Sequence, residues 1–160
     1  MNKELDYWNK TWMGNFDLQD HEALVTDPGE IGTHSGLLLA RKAVEAIEAH
    51  DVEFVSATCR IPLFLYYAPA LVHTPFPDSN PAPFSGGCGE VPSSVDTHRN
   101  IASYCELVLM LDSSVKNISC ALQRLGWADN TLMIVLSDNG GSKVTPGSTY
   151  PLRGAKGVCA

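Results

Sequence analysis

The sequence lacks several features that mark particular classes of protein. It contains no apolar run of about 18 residues, the length at which a helix begins to cross a bilayer. Its 11 lysines and arginines are outnumbered by 18 aspartates and glutamates, and no basic cluster occurs, which argues against binding to nucleic acid or to an anionic membrane surface. The first residues carry Asp6, Asp17 and Asp20 and no apolar core, so we do not expect them to act as a signal peptide.

The sequence also lacks paired cysteine motifs, and the spacing of its cysteines argues against two common uses. The five cysteines are Cys59, Cys88, Cys105, Cys120 and Cys159. No two of them form a Cys-x-x-Cys pair, which argues against a zinc ribbon or a thioredoxin-like motif. Their number is odd, so they do not all pair within the chain, and the sequence leaves the pairing open. What remains is a chain of 160 residues, 44% apolar and 18% charged, which is typical of one globular domain.

Two segments show the three- and four-residue spacing of apolar side chains that is typical of an amphipathic helix. The first covers residues 33–50, where Thr33 or Ser35 is a candidate N-cap. The second covers residues 96–125, and Gly126 follows at the position where a glycine commonly ends a helix. The apolar stripe of this second helix consists of Ile101, Tyr104, Cys105, Val108, Leu111, Val115, Ile118, Leu122 and Leu125.

Two other segments are continuous apolar runs. Residues 62–72 contain an unbroken apolar and aromatic stretch, and residues 131–136 form a second one. Such runs are typical of strands buried on both faces of a parallel sheet, so the order strand, loop, helix, strand predicts an α/β unit with a right-handed crossover. In open α/β sheets, ligands bind beyond the carboxyl ends of the strands. His73 follows the first run and Asp138-Asn139 follows the second, which predicts a site at that edge.

The residues at this edge suggest two kinds of chemistry. Asp138 and Asn139 each offer an oxygen ligand of the kind that Ca²⁺ or Mg²⁺ prefers, although Asn-Gly is also a common hairpin turn. His73 is suited to protonating a leaving group or donating to an anionic oxygen, and the alternative is a histidine that only closes a strand end. Lys156 lies between glycines and is suited to approaching an anion, or else belongs to a solvated tail.

Taken together, three ordered segments resemble the sulfatase family, and most closely its arylsulfatase B (N-acetylgalactosamine-4-sulfatase) type. They are Pro62-Leu63-Phe64-Leu65-Tyr66-Tyr67-Ala68 with Val72-His73-Thr74-Pro75, then Leu136-Ser137-Asp138-Asn139-Gly140-Gly141, then Pro151-Leu152-Arg153-Gly154-Ala155-Lys156-Gly157. The helix between them, with its Asn-x-Ser sequon at Asn117, is similar to the helix at that place in the family. The resemblance is clear over residues 60–157.

The resemblance implies a fold, a reaction and a site. The expected fold is α/β of the alkaline phosphatase-like class, with buried, mostly parallel strands flanked by helices. The expected reaction is hydrolysis of the sulfate ester of a sulfated glycan or an aryl sulfate, with a formylglycine nucleophile made from the cysteine of a Cys-x-Pro-x-Arg motif. By the same resemblance, Asp138 and Asn139 ligate Ca²⁺, and His73 and Lys156 contact the sulfate as catalytic residues.

The departures from the family pattern are equally informative. No cysteine here is followed by x-Pro-x-Arg, and the family's early pair of metal-binding aspartates and its Gly-Lys-x-His segment are absent. We therefore expect residues 1–160 to form the central part of one sulfatase catalytic domain, inactive as an isolated chain. The alternative is a non-catalytic truncated or degenerate product that binds a full-length chain. Family resemblance implies a lysosomal or secretory location, with glycosylation at the sequons of Asn9 and Asn117.

Overall fold

Two long helices dominate the part of the chain that the computed structural model describes, which comprises residues 19–20, 23–24, 33–56, 59–74, 76, 84–89, 98–142 and 145–158. The helices are α1 (Ser35–Phe54) and α2 (His98–Arg124), and a short 3-10 helix follows at Ala128–Asn130. Four two-residue strands form two antiparallel pairs: β1 (Gln19–Asp20) with β2 (Ala23–Leu24), and β3 (Val55–Ser56) with β4 (Cys59–Arg60).

Helix α1 confirms the helix predicted from the apolar periodicity and continues to Phe54. The N-cap role predicted for Thr33 or Ser35 falls instead to His34. Its carbonyl accepts hydrogen bonds from the backbone N–H of Leu37 and Leu38, and its Nδ1 accepts one from Gly36 N–H at 3.2 Å. A neutral imidazole nitrogen thus does the work that a serine or aspartate oxygen usually does at this position.

The end of α2 confirms the predicted glycine cap. Gly126 has φ +72°, a conformation that glycine adopts without steric cost. Its N–H donates to Gln123 O at 3.1 Å, and Trp127 N–H donates to Leu122 O at 2.8 Å. These two bonds are the pair that defines a Schellman motif, and Trp127 also packs against the cluster that contains Leu122, as that motif favours.

The two helices run parallel to each other. Residues farther along α1 contact residues correspondingly farther along α2 or just beyond its end. The start of α1 lies beside the middle of α2, where the position of a Cβ on Gly36 is 2.6 Å from the Met110 sulfur. Near their ends, Arg124 pairs with Glu48, and Trp127 Nε1 donates to Asp51 at 2.7 Å. Parallel helices side by side are the arrangement expected on one face of a parallel sheet. No described helix is both long and apolar enough to cross a membrane.

The helix pair buries two apolar clusters. The Met110 cluster consists of Leu71, Leu107 and Met110, and the Ile47 cluster consists of Ala43, Ile47, Ile118 and Leu122. The second half of the predicted α2 stripe is confirmed, since Ile118 and Leu122 are buried, and only its first half is rotated away from the core. Ile101 and Val108 were expected inside and are 38% and 40% exposed, whereas Leu107 and Met110 are fully buried.

The strand predicted within residues 62–72 is present only as a segment that no other strand pairs with among the described residues. Residues 61–70 carry no regular secondary structure in the described part of the chain, so the prediction of a strand paired and buried on both faces is wrong here. The segment still alternates as a strand does. Leu63 and Tyr67 pack on the Ile47 cluster and Leu71 joins the Met110 cluster, while Phe64 and Tyr66 are 89% and 82% exposed.

The second predicted strand, residues 131–136, also lacks regular secondary structure. It has no ladder partner among the described residues and is exposed along its whole length. Leu132, Ile134 and Leu136 are 85%, 66% and 84% exposed, whereas Met133 is 40% exposed and its sulfur accepts a hydrogen bond from Ser119. Strand pairing needs a neighbour at about 4.8 Å, and the described residues supply none. In the described residues, the two parallel helices agree with the predicted α/β class, but the predicted parallel sheet is not observed.

A disulfide joins Cys88 to Cys105 and fastens the loop of residues 84–89 to α2. The sequence left the pairing open, and the structure assigns this one pair and leaves Cys120 exposed as a thiol. Beside the disulfide, Gly86 N–H donates to the carboxylate of Glu106. The bond therefore holds the loop where its partly buried Phe84 packs on the Met110 cluster.

Removing this disulfide should destabilise the helix pair measurably. The bridge spans a sequence separation of 17 residues, and closing a loop of that size in the unfolded chain accounts for about 3 kcal/mol in the chain-entropy model. We expect a Cys88→Ser, Cys105→Ser double variant to lose about 2–4 kcal/mol of unfolding free energy in urea denaturation. Cys120→Ser is the matched control and should change it by less than about 0.5 kcal/mol. Equal effects would show that the bridge does not form.

Candidate functional site

The predicted cation ligands lie in the turn that follows the extended segment 131–136. Asp138 and Asn139 are both exposed, and Asn139 Nδ2 donates to Asp138 Oδ2 at 2.8 Å. The turn is closed by Gly140 N–H, which donates to Ser137 Oγ at 3.3 Å. Two oxygen-bearing side chains are thus presented together at the end of an apolar segment, as the sequence predicts.

The two glycines of this turn are required by a close approach of the next loop. A Cβ on Gly141 would lie 2.7 Å from the carbonyl carbon of Gly147 and 2.8 Å from the nitrogen of Ser148. A Cβ on Gly140, which has φ +73°, would lie 2.8 Å from a methyl carbon of Thr149. The loop of residues 145–158 therefore packs directly on the backbone beside Asp138.

Lys156 is positioned by the same loop. Its backbone N–H donates to Gly141 O at 2.9 Å, so the end of the loop is fixed to the turn as its beginning is. An isolated bridge between Ala155 and Val158 tightens the chain around it. The lysine is therefore held beside the Asp138–Asn139 turn and does not lie in a solvated tail.

A tight turn of residues 70–73, distant in sequence from Lys156, positions His73. His73 N–H donates to Ala70 O at 3.2 Å, and within this turn Leu71 is buried against the helix pair. Val72 has φ +66°, which is costly for a β-branched residue and persists only where the surroundings impose it. The anchored Leu71 and the strained Val72 together direct His73 away from the core.

The two predicted catalytic residues meet. Lys156 Nζ lies 3.1 Å from His73 Nε2, although 83 residues separate them in sequence. The other ring nitrogen, Nδ1, contacts Thr74 O, and because a carbonyl only accepts, Nδ1 must carry the proton. In that tautomer Nε2 presents its lone pair to the Lys156 ammonium, which can only donate. Both side chains are exposed.

These contacts join three predicted groups into one assembly. His73 touches Lys156 directly, and Lys156 is tied through Gly141 to the turn of Asp138 and Asn139. Within the described residues, no group of three or more histidine, cysteine, aspartate or glutamate side chains is arranged to hold a metal ion. Asn117 is exposed on α2, and Asn9 lies outside the described residues.

The sequence did not reveal the residues that support the site without carrying its polar groups. Val72, Thr149 and Gly147 contribute through backbone conformation or close packing, which no residue pattern indicates. Gly141 carried a signal, since a glycine pair after a predicted strand marks a close backbone approach. The partner of that approach, however, is a loop whose position depends on contacts distant in sequence.

Two kinds of comparison with known proteins find sequences similar to this chain, and a third finds none. A family model described as Sulfatase matches residues 8–160. Over 143 residues the chain is 32% identical to arylsulfatase J of Mus musculus, a match that covers 89% of this chain and 21% of the mouse protein. The chain thus spans about a fifth of the length of this relative. No solved structure matches.

Proposed function

The chain belongs to the sulfatase family, and from this membership we propose that it supplies the sulfate-contacting and cation-binding part of a sulfuric ester hydrolase site. The comparisons support the family and an arylsulfatase relative, and they do not single out the arylsulfatase B type. The observation that carries the proposal is the 3.1 Å contact between His73 and Lys156. Two polar side chains that meet across 83 residues, beside two oxygen ligands, are typical of an assembled site.

His73 and Lys156 have complementary roles toward a sulfate ester. The Lys156 ammonium neutralises charge that builds on the sulfate oxygens as the ester bond breaks. His73 is anchored at Nδ1 by Thr74 O, so Nε2 is the atom that holds a proton for the leaving oxygen. In the structure Lys156 Nζ lies against Nε2, so binding of an anion between the two groups requires the two side chains to separate.

Asp138 and Asn139 are the residues that would hold a cation. Their donor set of carboxylate and amide oxygens fits Ca²⁺, which prefers six to eight oxygen ligands. The bound ion would supply fixed positive charge beside the sulfate. The two residues fill only part of that shell, and among the described residues no group of three or more histidine, cysteine, aspartate or glutamate side chains is arranged to complete it.

This chain carries no Cys-x-Pro-x-Arg motif and therefore no source of the family's formylglycine nucleophile. We propose that the isolated chain binds a sulfate ester, of a glycan or an aryl group, without hydrolysing it. The disulfide between Cys88 and Cys105 and the exposed sequon at Asn117 support a location in the secretory route or the lysosome, since disulfides persist in oxidising compartments.

Substitution of either site residue should weaken binding of inorganic sulfate. A hydrogen bond to a charged group contributes about 1.5–3 kcal/mol, so His73→Ala and Lys156→Ala should each raise the Kd about 10- to 100-fold in an NMR titration. Lys116→Ala removes an equally charged, exposed lysine from α2 and should leave the Kd within about twofold. A Lys116 variant as weak as the Lys156 variant would show that only net charge matters.

A second candidate function is that of a non-catalytic binding partner of a full-length sulfatase. It is favoured by the apolar side chains that the two extended segments expose, among them Phe64 and Leu132. Capture of the natural polypeptide with an antibody against residues 96–125, followed by intact-mass measurement, separates the two candidates. A species near 17 kDa that co-purifies with a sulfatase chain supports the partner role, and a much larger single species supports the hydrolase.

A further inference from the structure

A tyrosine near the start of α2 contacts both of the segments that carry His73 and Lys156. Tyr104 is partly buried. Its ring meets that of Phe76 edge to face, with ring centroids 5.9 Å apart and an interplanar angle of 66°. The position of a Cβ on Gly147 is 3.4 Å from the Tyr104 hydroxyl oxygen. One side chain of the helix therefore lies against two segments that are distant from each other in sequence.

The contact with Phe76 fixes the chain that follows His73. Phe76 packs on the Met110 cluster, and Leu71, which precedes His73, is a member of the same cluster. The short stretch that carries His73 is therefore anchored on both sides, before it by Leu71 and after it by Phe76. The Tyr104 ring strengthens the second anchor, because an edge-to-face aromatic pair is favourable beyond the area that it buries.

The contact with Gly147 fixes the chain that leads to Lys156. The position of a Cβ on Gly147 lies 3.3 Å from Gly141 Cα, so the two glycine backbones touch. Gly141 O in turn accepts the hydrogen bond from Lys156 N–H at 2.9 Å. Tyr104 is therefore connected to Lys156 through two backbone contacts, and no long side chain with rotational freedom lies between them.

The turn of α2 that carries Tyr104 is itself held in place. Cys105 forms the disulfide with Cys88, and the carboxylate of Glu106 accepts a hydrogen bond from Gly86 N–H. Glu106 is buried. Three consecutive helix residues thus contact the loop of residues 84–89, the segment after His73 and the loop of residues 145–158. This turn is a fixed support against which the two site segments are aligned.

We propose that Tyr104 is a positioning residue that sets the separation of His73 and Lys156. This inference rests on the function proposed above, in which the pair receives an anion. Both side chains are exposed, and an exposed pair gains little from holding one geometry by its own contact. The 3.1 Å approach of Nζ to Nε2 therefore depends on where the two backbone segments lie, and both segments rest on Tyr104.

The first test of this role needs no ligand. In the isotope-labelled full chain, the NMR resonance of His73 Nε2 should shift when Lys156→Ala removes the neighbouring ammonium. When the same substitution is made in Tyr104→Leu, that resonance should shift less than about half as much. An equal shift in both backgrounds would overturn the inference, since the pair would then form without Tyr104.

The second test measures the Kd for inorganic sulfate by NMR titration. Tyr104→Leu should raise the Kd about five- to tenfold, and Phe76→Leu, which removes the same ring pair from its other side, should do likewise. Tyr104→Phe keeps the ring and should raise the Kd only about two- to threefold. In a Lys156→Ala background, Tyr104→Leu should change the Kd less than about twofold, because residues that act as a unit are not additive. Additive losses would show that Tyr104 acts on binding independently of the pair.

Val115→Ala is the control that separates positioning from stability. Val115 is a partly buried residue farther along α2, so its truncation should lower the free energy of unfolding in urea but leave the Kd for sulfate within about twofold. Sulfate binding as weak in Val115→Ala as in Tyr104→Leu would contradict the positioning role, because any loosening of the helix would then have the same effect.

The two tests distinguish failure of this inference from failure of the proposed function. Sulfate that binds through His73 and Lys156, together with equal Nε2 shifts in the two backgrounds, overturns the role of Tyr104 and leaves the anion site intact. A wild-type chain that binds no sulfate but shows the expected difference in Nε2 shifts overturns the proposed function instead. The alignment of His73 with Lys156 by Tyr104 is then supported on its own.

Discussion

Replacing Gly141 with alanine should weaken sulfate binding about tenfold or more while α1 and α2 stay folded. The new Cβ would lie within 2.9 Å of backbone atoms of Gly147 and Ser148, which have no flexible side-chain end to move aside. The loop of residues 145–158 must therefore shift, and the hydrogen bond from Lys156 N–H to Gly141 O is lost. Since Lys156 is then no longer held beside His73, we expect the Kd for sulfate to rise about tenfold or more.

The matched control for this variant is Gly157→Ala. Gly157 has φ +78° and no atom near the position of a Cβ, so the substitution costs local backbone strain of about 1–2 kcal/mol without a clash. It should weaken sulfate binding much less than Gly141→Ala. Helix content by circular dichroism should be the same in both variants and in the wild type. A loss of helix in Gly141→Ala would mean that the turn supports the helix pair and not the site alone.

The stability of the helix pair should fall steeply in mild acid because of His34. This side chain is 1% exposed, and burial lowers its pKa from 6.5 to about 4. The unfolded chain binds the proton more readily, so the stabilisation is complete above pH 6.5 and is lost as the pH falls toward 4. A shift of this size corresponds to at most about 3 kcal/mol of unfolding free energy.

Protonation of His34 also removes the N-cap of α1. Its Nδ1 accepts from Gly36 N–H, and a proton there would replace that acceptor with a buried positive charge at the positive end of the helix. Asparagine caps helices without titrating, so His34→Asn should flatten the dependence of unfolding free energy on pH between 6.5 and 4. His50→Gln leaves the cap in place and should retain the slope. An unchanged slope in His34→Asn would assign the acid sensitivity to carboxylates.

The helices were predictable because their signals are local. The apolar spacing of residues 33–50 and Gly126 after the second helix each act within one turn of chain, and both predictions held. The N-cap of α1 was missed because histidine is an unusual capping residue, and its suitability as a cap depends on its burial. The prediction of paired strands failed in the described residues, because an apolar run does not itself supply the partner strand that a ladder requires.

The site was only partly predictable from the residues. Asp138, Asn139 and His73 follow apolar runs, and that position alone marked them as candidates. Lys156 follows no apolar run. Its place among glycines left a solvated tail as the alternative, and resemblance to the sulfatases decided for a site residue. Its contact with His73 joins positions 83 residues apart and depends on the packing of Gly141 against Gly147. Nothing in the spacing of the five cysteines favours the pair Cys88–Cys105.

The extended segment of residues 61–70 shows what sets strand register in this part of the molecule. Leu63, Tyr67 and Leu71 are fixed on the helix pair although no neighbouring strand pairs with the segment in the described residues. A slip by one residue would turn Phe64 and Tyr66 inward and break all three contacts. The contacts with α1 and α2 therefore suffice to fix the register of this segment, and a strand that pairs with it has to match that alignment.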